Sequence, residues 1–358
     1  MERNRRKRKG YLDIAKAVGV IIVLINHIGI SLAGVNKYLG AFYVSEFFVI
    51  SGMTFRMKQK ETYKEFVKKK GKRLLIPYMA YSLFYLLWYL VRSFMSGSFS
   101  GGDFLKKIAG CMYGRNYFFV AKEEPVYLME IMNAPMWFLP ALFFSLILYY
   151  IISDRLKEKK AYGVFGSLVA GIIIRFVSPI LMPLSLDVAM IMQPLLFFGE
   201  KLGKTDYVEQ TRKKVWILPV VLFLFIVIVA FNGAGNCSVG DYGVSVVLFL
   251  MASCMGSFIC IMFSFFIERY LHFLGKGLMI IGKSTLTILC LHLFVFAMAQ
   301  TAFGILGMDT NSNMIKWIIL VLGLVIPVIF DKIIDKLQIL KRGLHCTSQS
   351  VKKNDDRK

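Results

Sequence analysis

The sequence predicts an all-α protein that crosses a membrane about ten times and keeps both termini in the cytoplasm. Three observations carry this. The 358-residue chain is 57% hydrophobic, with a mean hydropathy of +0.60, too apolar for a soluble domain. Apolar runs of about 20 residues recur along it, the length that spans a bilayer core as helix. Short basic runs alternate with them as the positive-inside rule requires.

Ten apolar segments are separated by charged or Gly/Asn/Ser-rich breaks: roughly 11–34, 39–57, 74–95, 135–152, 162–181, 184–199, 215–232, 244–267, 284–306 and 314–330. Segments 1–10, 56–73, 153–161, 200–214, 268–283 and 331–358 hold 35 of the 44 Lys and Arg, and the opposite loops and edges hold seven. That asymmetry puts both ends in the cytoplasm. It also makes the net charge of +22 mainly a matter of topology, so nucleic acid is not the expected partner. The opening MERNRRKRKG leads an uncleaved first helix, because the following apolar run is too long for a signal peptide and no small-residue cleavage site follows.

The expected organisation is a basic N-terminus (1–10), a transmembrane domain (11–335) and a basic tail (336–358). The outer loop at about 96–134 is long enough for interfacial structure. The six cysteines show no metal-ligand spacing, and Cys111 and Cys237, both in outer loops, could form one disulfide.

Ionisable groups inside a bilayer are costly, so those in the first segment, YLDIAKAVGVIIVLINHIGI, are functional candidates. Lys16 and His27 are eleven residues apart, which returns them to nearly the same helix face about 16 Å apart. Lys16 could equally snorkel to the inner interface, and His27 could be a hydrogen-bonded structural imidazole. In the second segment Glu46 falls at a similar depth to His27, an arrangement that suits a His–acid catalytic pair. Asn26 and Ser51 would add hydrogen bonds nearby.

Lys70 and Arg73 bracket the cytoplasmic start of the third segment, near the depth of Lys16. They read either as topology and lipid-binding charge or as a phosphate cradle. Trp137 opens the fourth segment as an interfacial anchor or a sugar-stacking wall. Arg175 and Asp187 are expected to form an ion pair. His292, about eight residues into the ninth segment, is a packed histidine or a substrate contact.

Taken in order, these motifs resemble the acyltransferase 3 family of integral membrane acyltransferases, closest to the fucose O-acetylase-like and polysaccharide O-acetyltransferase branch. The resemblance rests on YLDIAK, the Lys16-x10-His27 spacing, Glu-Phe-Phe-x-x-Ser-Gly at 46–52, Lys70-x-x-Arg73 before Pro77, WFLPALF from Trp137, and Ser284 followed by His292. Lys70 stands where the family pattern has arginine, which keeps the charge and loses bidentate phosphate geometry.

The resemblance implies transfer of an acyl group, usually acetyl from acetyl-CoA, to a hydroxyl of an envelope polysaccharide or lipid-linked saccharide at the bacterial inner membrane. His27 and Glu46 would then be catalytic, with Lys16, Lys70 and Arg73 at the CoA. Asn26, Ser51, Trp137 and His292 would stand at the acceptor, and no metal is called for. The competing reading is a transporter or flippase for a lipid-linked saccharide or acidic solute. Ten helices with an intramembrane Lys, His and Glu suit that class too, although no repeated half is visible.

Overall fold

The structure, a computed structural model, describes residues 9–57, 61–115, 117–119, 134–204, 208 and 215–355, with side chains through residue 337. The expected basic segment at 1–8, residues 120–133 of the outer loop and the tail side chains beyond 337 lie outside the described residues. Among those described there is no β-strand, only two isolated bridges.

The helices are α1 (Gly10–Ile28), α2 (Asn36–Gly40), α3 (Ser45–Met53), α4 (Tyr63–Met95), α5 (Gly101–Tyr113), α6 (Phe138–Leu156) and α7 (Lys160–Val177). There follow α8 (Leu186–Ile191), α9 (Gln193–Lys204), α10 (Ile217–Asn232), α11 (Val246–Tyr270), α12 (His272–Lys283), α13 (Thr285–Ile305) and α14 (Asn313–Asp355).

Among the described residues, six helical stretches are long and apolar enough to cross a bilayer: Gly10–Ile28, Tyr63–Met95, Ala134–Val177, Val246–Tyr270, Thr285–Ile305 and Asn313–Leu337. The 44 residues of Ala134–Val177 measure about 66 Å as helix, twice a bilayer core. Lys157 (φ 42°) turns the chain there, and α7 folds back so that Gly163 lies against Leu156 and Ile152 of α6.

The other expected crossings are shorter or broken. Segment 39–57 resolves into α2, a turn and the nine-residue α3, about 13 Å long. Segment 184–199 opens with Leu184 and Ser185 at positive φ and splits into α8 and α9. Such short pieces persist at membrane depth because surrounding helices, rather than lipid, cover their backbone.

Two devices hold the bundle around α1 and α3. The backbone N–H of Tyr11, in the first turn of α1, donates to the Glu268 carboxylate at the foot of α11 (2.8 Å), satisfying a helix-end donor with an anion. Farther in, α3 and α9 run side by side at glycine distance, the close approach typical of membrane helices. A Cβ at Gly199 would stand 2.0 Å from the Val49 carbonyl oxygen, and one at Gly52 would stand 2.2 Å from that of Leu196. Gly199→Val is therefore expected to force backbone apart, at the upper end of the roughly 1–3 kcal/mol that overpacking costs. The check is the thermal unfolding midpoint of the detergent-solubilised protein, and an unchanged midpoint contradicts this close approach.

α4 shows how a helix can outlast the membrane. Thr62 and Glu65 form a reciprocal capping box at its start, and its 33 residues reach about 50 Å. Its first turns form a basic extension that carries Lys70 and Arg73.

Candidate active site

The first helix ends earlier than its apolar run. Gly29 adopts φ 72° and its N–H turns back to the carbonyls of Asn26 and Ile25, the usual left-handed stop. Lys316 closes the same end by donating to the Gly29 carbonyl (3.1 Å). His27 thus sits in the outermost turn of α1, and its ring is exposed to a cavity of about 340 Å³. Val23, Tyr43, Ser45, Phe47 and Trp137 form part of the wall, joined by Phe138 and by the outer turn Asn236–Ser238. The cavity combines aromatic faces with a few polar groups, the usual character of a small-molecule site.

The ring of His27 lies parallel to that of His292, with Nδ1 of His27 and Nε2 of His292 2.6 Å apart. On its other side His292 Nδ1 is 2.9 Å from the Ile288 carbonyl oxygen. A carbonyl only accepts, so Nδ1 of His292 carries the hydrogen and its Nε2 offers a lone pair. His27 Nδ1–H then donates to that lone pair, and Nε2 of His27 is left as a base. Because His292 is fully buried, this chain of donors sets the tautomer of a ring that itself faces the cavity.

This arrangement corrects several expectations. Glu46 is not the partner of His27. It is fully buried against Gly19 of α1, where a Cβ would lie 3.0 Å from its Oε2, with Cys260 of α11 beside it. Gly19 lies eight residues, about 12 Å, inward of His27. The equal depths inferred from segment ends fail because α1 stops at Ile28. His292, read as a packed histidine or a substrate contact, is fully buried and engaged by His27, and it does not line the cavity.

Nor does Asn26 line the cavity. Its amide donates to the Ile22 carbonyl of its own helix. Ser51 lies toward the inner end of α3, whereas Ser45 reaches the cavity and shares a hydrogen bond with Ser253 (3.0 Å). Trp137 does stand in the wall of the same cavity as His27.

The three cations expected at the donor face three different surroundings. Lys16 pairs with Asp13 (3.1 Å), a neighbour one helical turn away. Lys70 lies over the Phe66 ring, 5.3 Å from its centre, and Arg73 lines a shallow groove with Lys68, Lys69 and Lys72. The His27 cavity is lined by none of the three.

Asp187 takes its ion pair from Arg115 (2.9 Å, both buried), not from Arg175, which donates to the Gly240 carbonyl instead. The outer turns thereby gain a buried strut beside Cys237. Cys111 and Cys237 do not form a disulfide with each other.

Residues 9–332, nearly the whole chain, match the family model of an acyltransferase domain, Acyl_transf_3. The chain belongs to the acyltransferase 3 family. Comparison with curated proteins and with solved structures finds no match.

For an acyltransferase 3 protein, membrane-embedded and acting on hydroxyl groups, a lone-pair nitrogen in the wall of a cavity is a fitting centre. Ser45, Tyr117 and the turn Asn236–Ser238 also belong to the cavity wall, and none of them is singled out by the sequence. Their only signal there is polarity beside apolar segments. The His27–His292 pair has a clearer one, as these are the two histidines within apolar runs.

Proposed function

We propose that this protein is a multi-pass inner-membrane O-acyltransferase of a bacterial cell. In this reading it moves an acyl group, acetyl in the first instance, from cytoplasmic acyl-CoA to a hydroxyl of an envelope polysaccharide or lipid-linked saccharide. Family membership supplies the reaction class. The single observation that carries the rest is the His27–His292 pair opening into an aromatic-walled cavity on the outer side.

His27 Nε2 accepts the proton of the acceptor hydroxyl as that oxygen attacks the thioester carbonyl carbon. The carbon–sulfur bond breaks, and His27 returns the proton to the departing sulfur. His292 holds the imidazole in the required tautomer throughout. Trp137 and Phe138 offer flat apolar faces to a sugar ring, and Ser45 offers a hydrogen bond.

The test is to incubate membranes containing the protein with radiolabelled acetyl-CoA. The expected result is thioester consumption with label in the glycan or lipid-linked saccharide fraction. Consumption without a labelled saccharide would point to another acceptor, and no consumption would contradict the reading. Within that assay, Trp137→Ala is expected to raise the apparent KM for the acceptor roughly tenfold, the worth of an aromatic contact of about 1 kcal/mol or slightly more, with a smaller change in kcat. An unchanged acceptor KM would remove Trp137 from the acceptor wall.

A further inference from the structure

A second cavity, of about 670 Å³, opens at the cytoplasmic foot of α3, α6 and α9. Arg56, Lys157, Lys160 and Lys204 stand around it, against the carboxylates of Asp154 and Glu200. Glu200 is already committed: it accepts from Tyr149, Lys160 and Lys204, the last at 2.6 Å. Burial alone would raise its carboxyl, but those hydrogen bonds more than offset burial and hold it below the usual carboxylate range. Arg56 and Lys157 have no carboxylate within ion-pair distance among the described residues. Met53 and Phe55 form an apolar floor, and beside them the buried hydroxyl of Ser153 has no hydrogen-bond partner among the described residues.

We propose that this pocket binds the phosphates of the acyl donor, with Arg56 and Lys157 as their principal cationic contacts and Ser153 as a hydrogen-bonding one. The assignment rests on the reading of acyl-CoA as donor, and it moves the donor site away from Lys16, Lys70 and Arg73.

Position supports it as well as charge. α3 and α6 each run from this pocket to the cavity of His27. Ser45 and Phe138 line the outer site, whereas Met53 and Ser153 line the inner one. The separation is about 12 Å along α3 and about 22 Å along α6 from the helical rise, a span suited to the extended arm between a coenzyme's phosphates and its thioester. Paired guanidinium and ammonium groups over an apolar floor match phosphates next to a nucleobase or alkyl arm. An anionic lipid head group carries the same phosphate chemistry, so the test separates the two sources.

The experiment measures CoA binding to the purified full-length protein in nanodiscs of neutral phosphatidylcholine. It compares wild type, the double variant R56E/K157E, His27→Ala, and a charge-changed control on the outer helix, Lys106→Glu. Weakening of CoA binding by at least about tenfold in the double variant alone supports the pocket, since removing one charge-assisted hydrogen bond costs roughly that factor. Equal weakening in Lys106→Glu overturns the pocket as a general effect of net charge. Equal CoA affinity in wild type and double variant overturns it and leaves the donor reading standing. Equal affinity accompanied by loss of co-purifying phosphatidylglycerol in the variant overturns it too, and gives the pocket to a lipid. Absence of CoA binding in wild type overturns the donor reading and this assignment with it.

Discussion

His27→Ala is expected to lower acyl transfer by at least about 100-fold, while the protein still inserts and folds. The factor follows from the 10²–10⁴ that a positioned general base contributes. Expression and folding survive because the side chain lines a cavity and its hydrogen bond is to His292 rather than to backbone. The measurement is the initial rate of label transfer per mole of solubilised protein, beside its elution profile and unfolding midpoint. Near-normal transfer by a well-folded His27→Ala would remove the imidazole from the chemistry.

Replacing the second histidine should act through the first. His292→Ala deletes the acceptor that holds His27 Nδ1–H, so the His27 ring loses both its orientation and its fixed tautomer. A supporting residue of this kind is worth about 10–100-fold, and the loss should appear in kcat with little change in either KM. His292→Gln keeps a side-chain oxygen that can accept from Nδ1–H, and partial recovery of kcat is expected. A merely structural role predicts the reverse pattern: both variants lower the unfolding midpoint together, and kcat per folded molecule stays constant. The test is the full kinetic comparison of the two variants at matched folded protein.

Much of the fold is legible in the sequence because lipid imposes strong rules on it. Apolar length and the basic loops locate the long helices, whereas α1 stops at Ile28, short of the 11–34 segment read from its apolar run. Short elements are less legible. A nine-residue α3 flanked by a turn reads, in composition alone, like one continuous span. Together with the early stop of α1 at Ile28, that misreading displaces Glu46, because depth measured from apolar ends differs from depth measured from helix ends.

The site is partly legible for the same reason. His27 and Trp137 stand out as unusual residues in apolar or interfacial surroundings, and the structure brings both to one cavity. The pairing of His27 with His292 does not, since it depends on how α12 and α13 meet α1. A Cβ at Gly282 would lie 1.7 Å from the Asp13 carbonyl oxygen, so α12 leads into α13 directly against the inner half of α1. No spacing within one segment encodes that packing. Cation runs mislead in the opposite direction. Lys70 and Arg73 share a motif and lie three residues apart on one helix, yet neither lines the cavity of His27. Arg56, Lys157 and Lys204 come together from three separate segments.

The proposed catalysis depends on His292 fixing His27 as an Nδ1–H imidazole whose Nε2 is the free base. Nitrogen-15 NMR of the histidine-labelled protein in nanodiscs reads this tautomer, because the chain has only four histidines and His292→Gln assigns the coupled pair. The expected spectrum shows a protonated Nδ1 and an unprotonated Nε2 for His27, with the His27 signals changing in His292→Gln. A protonated Nε2 on His27, indifferent to the substitution, would contradict it.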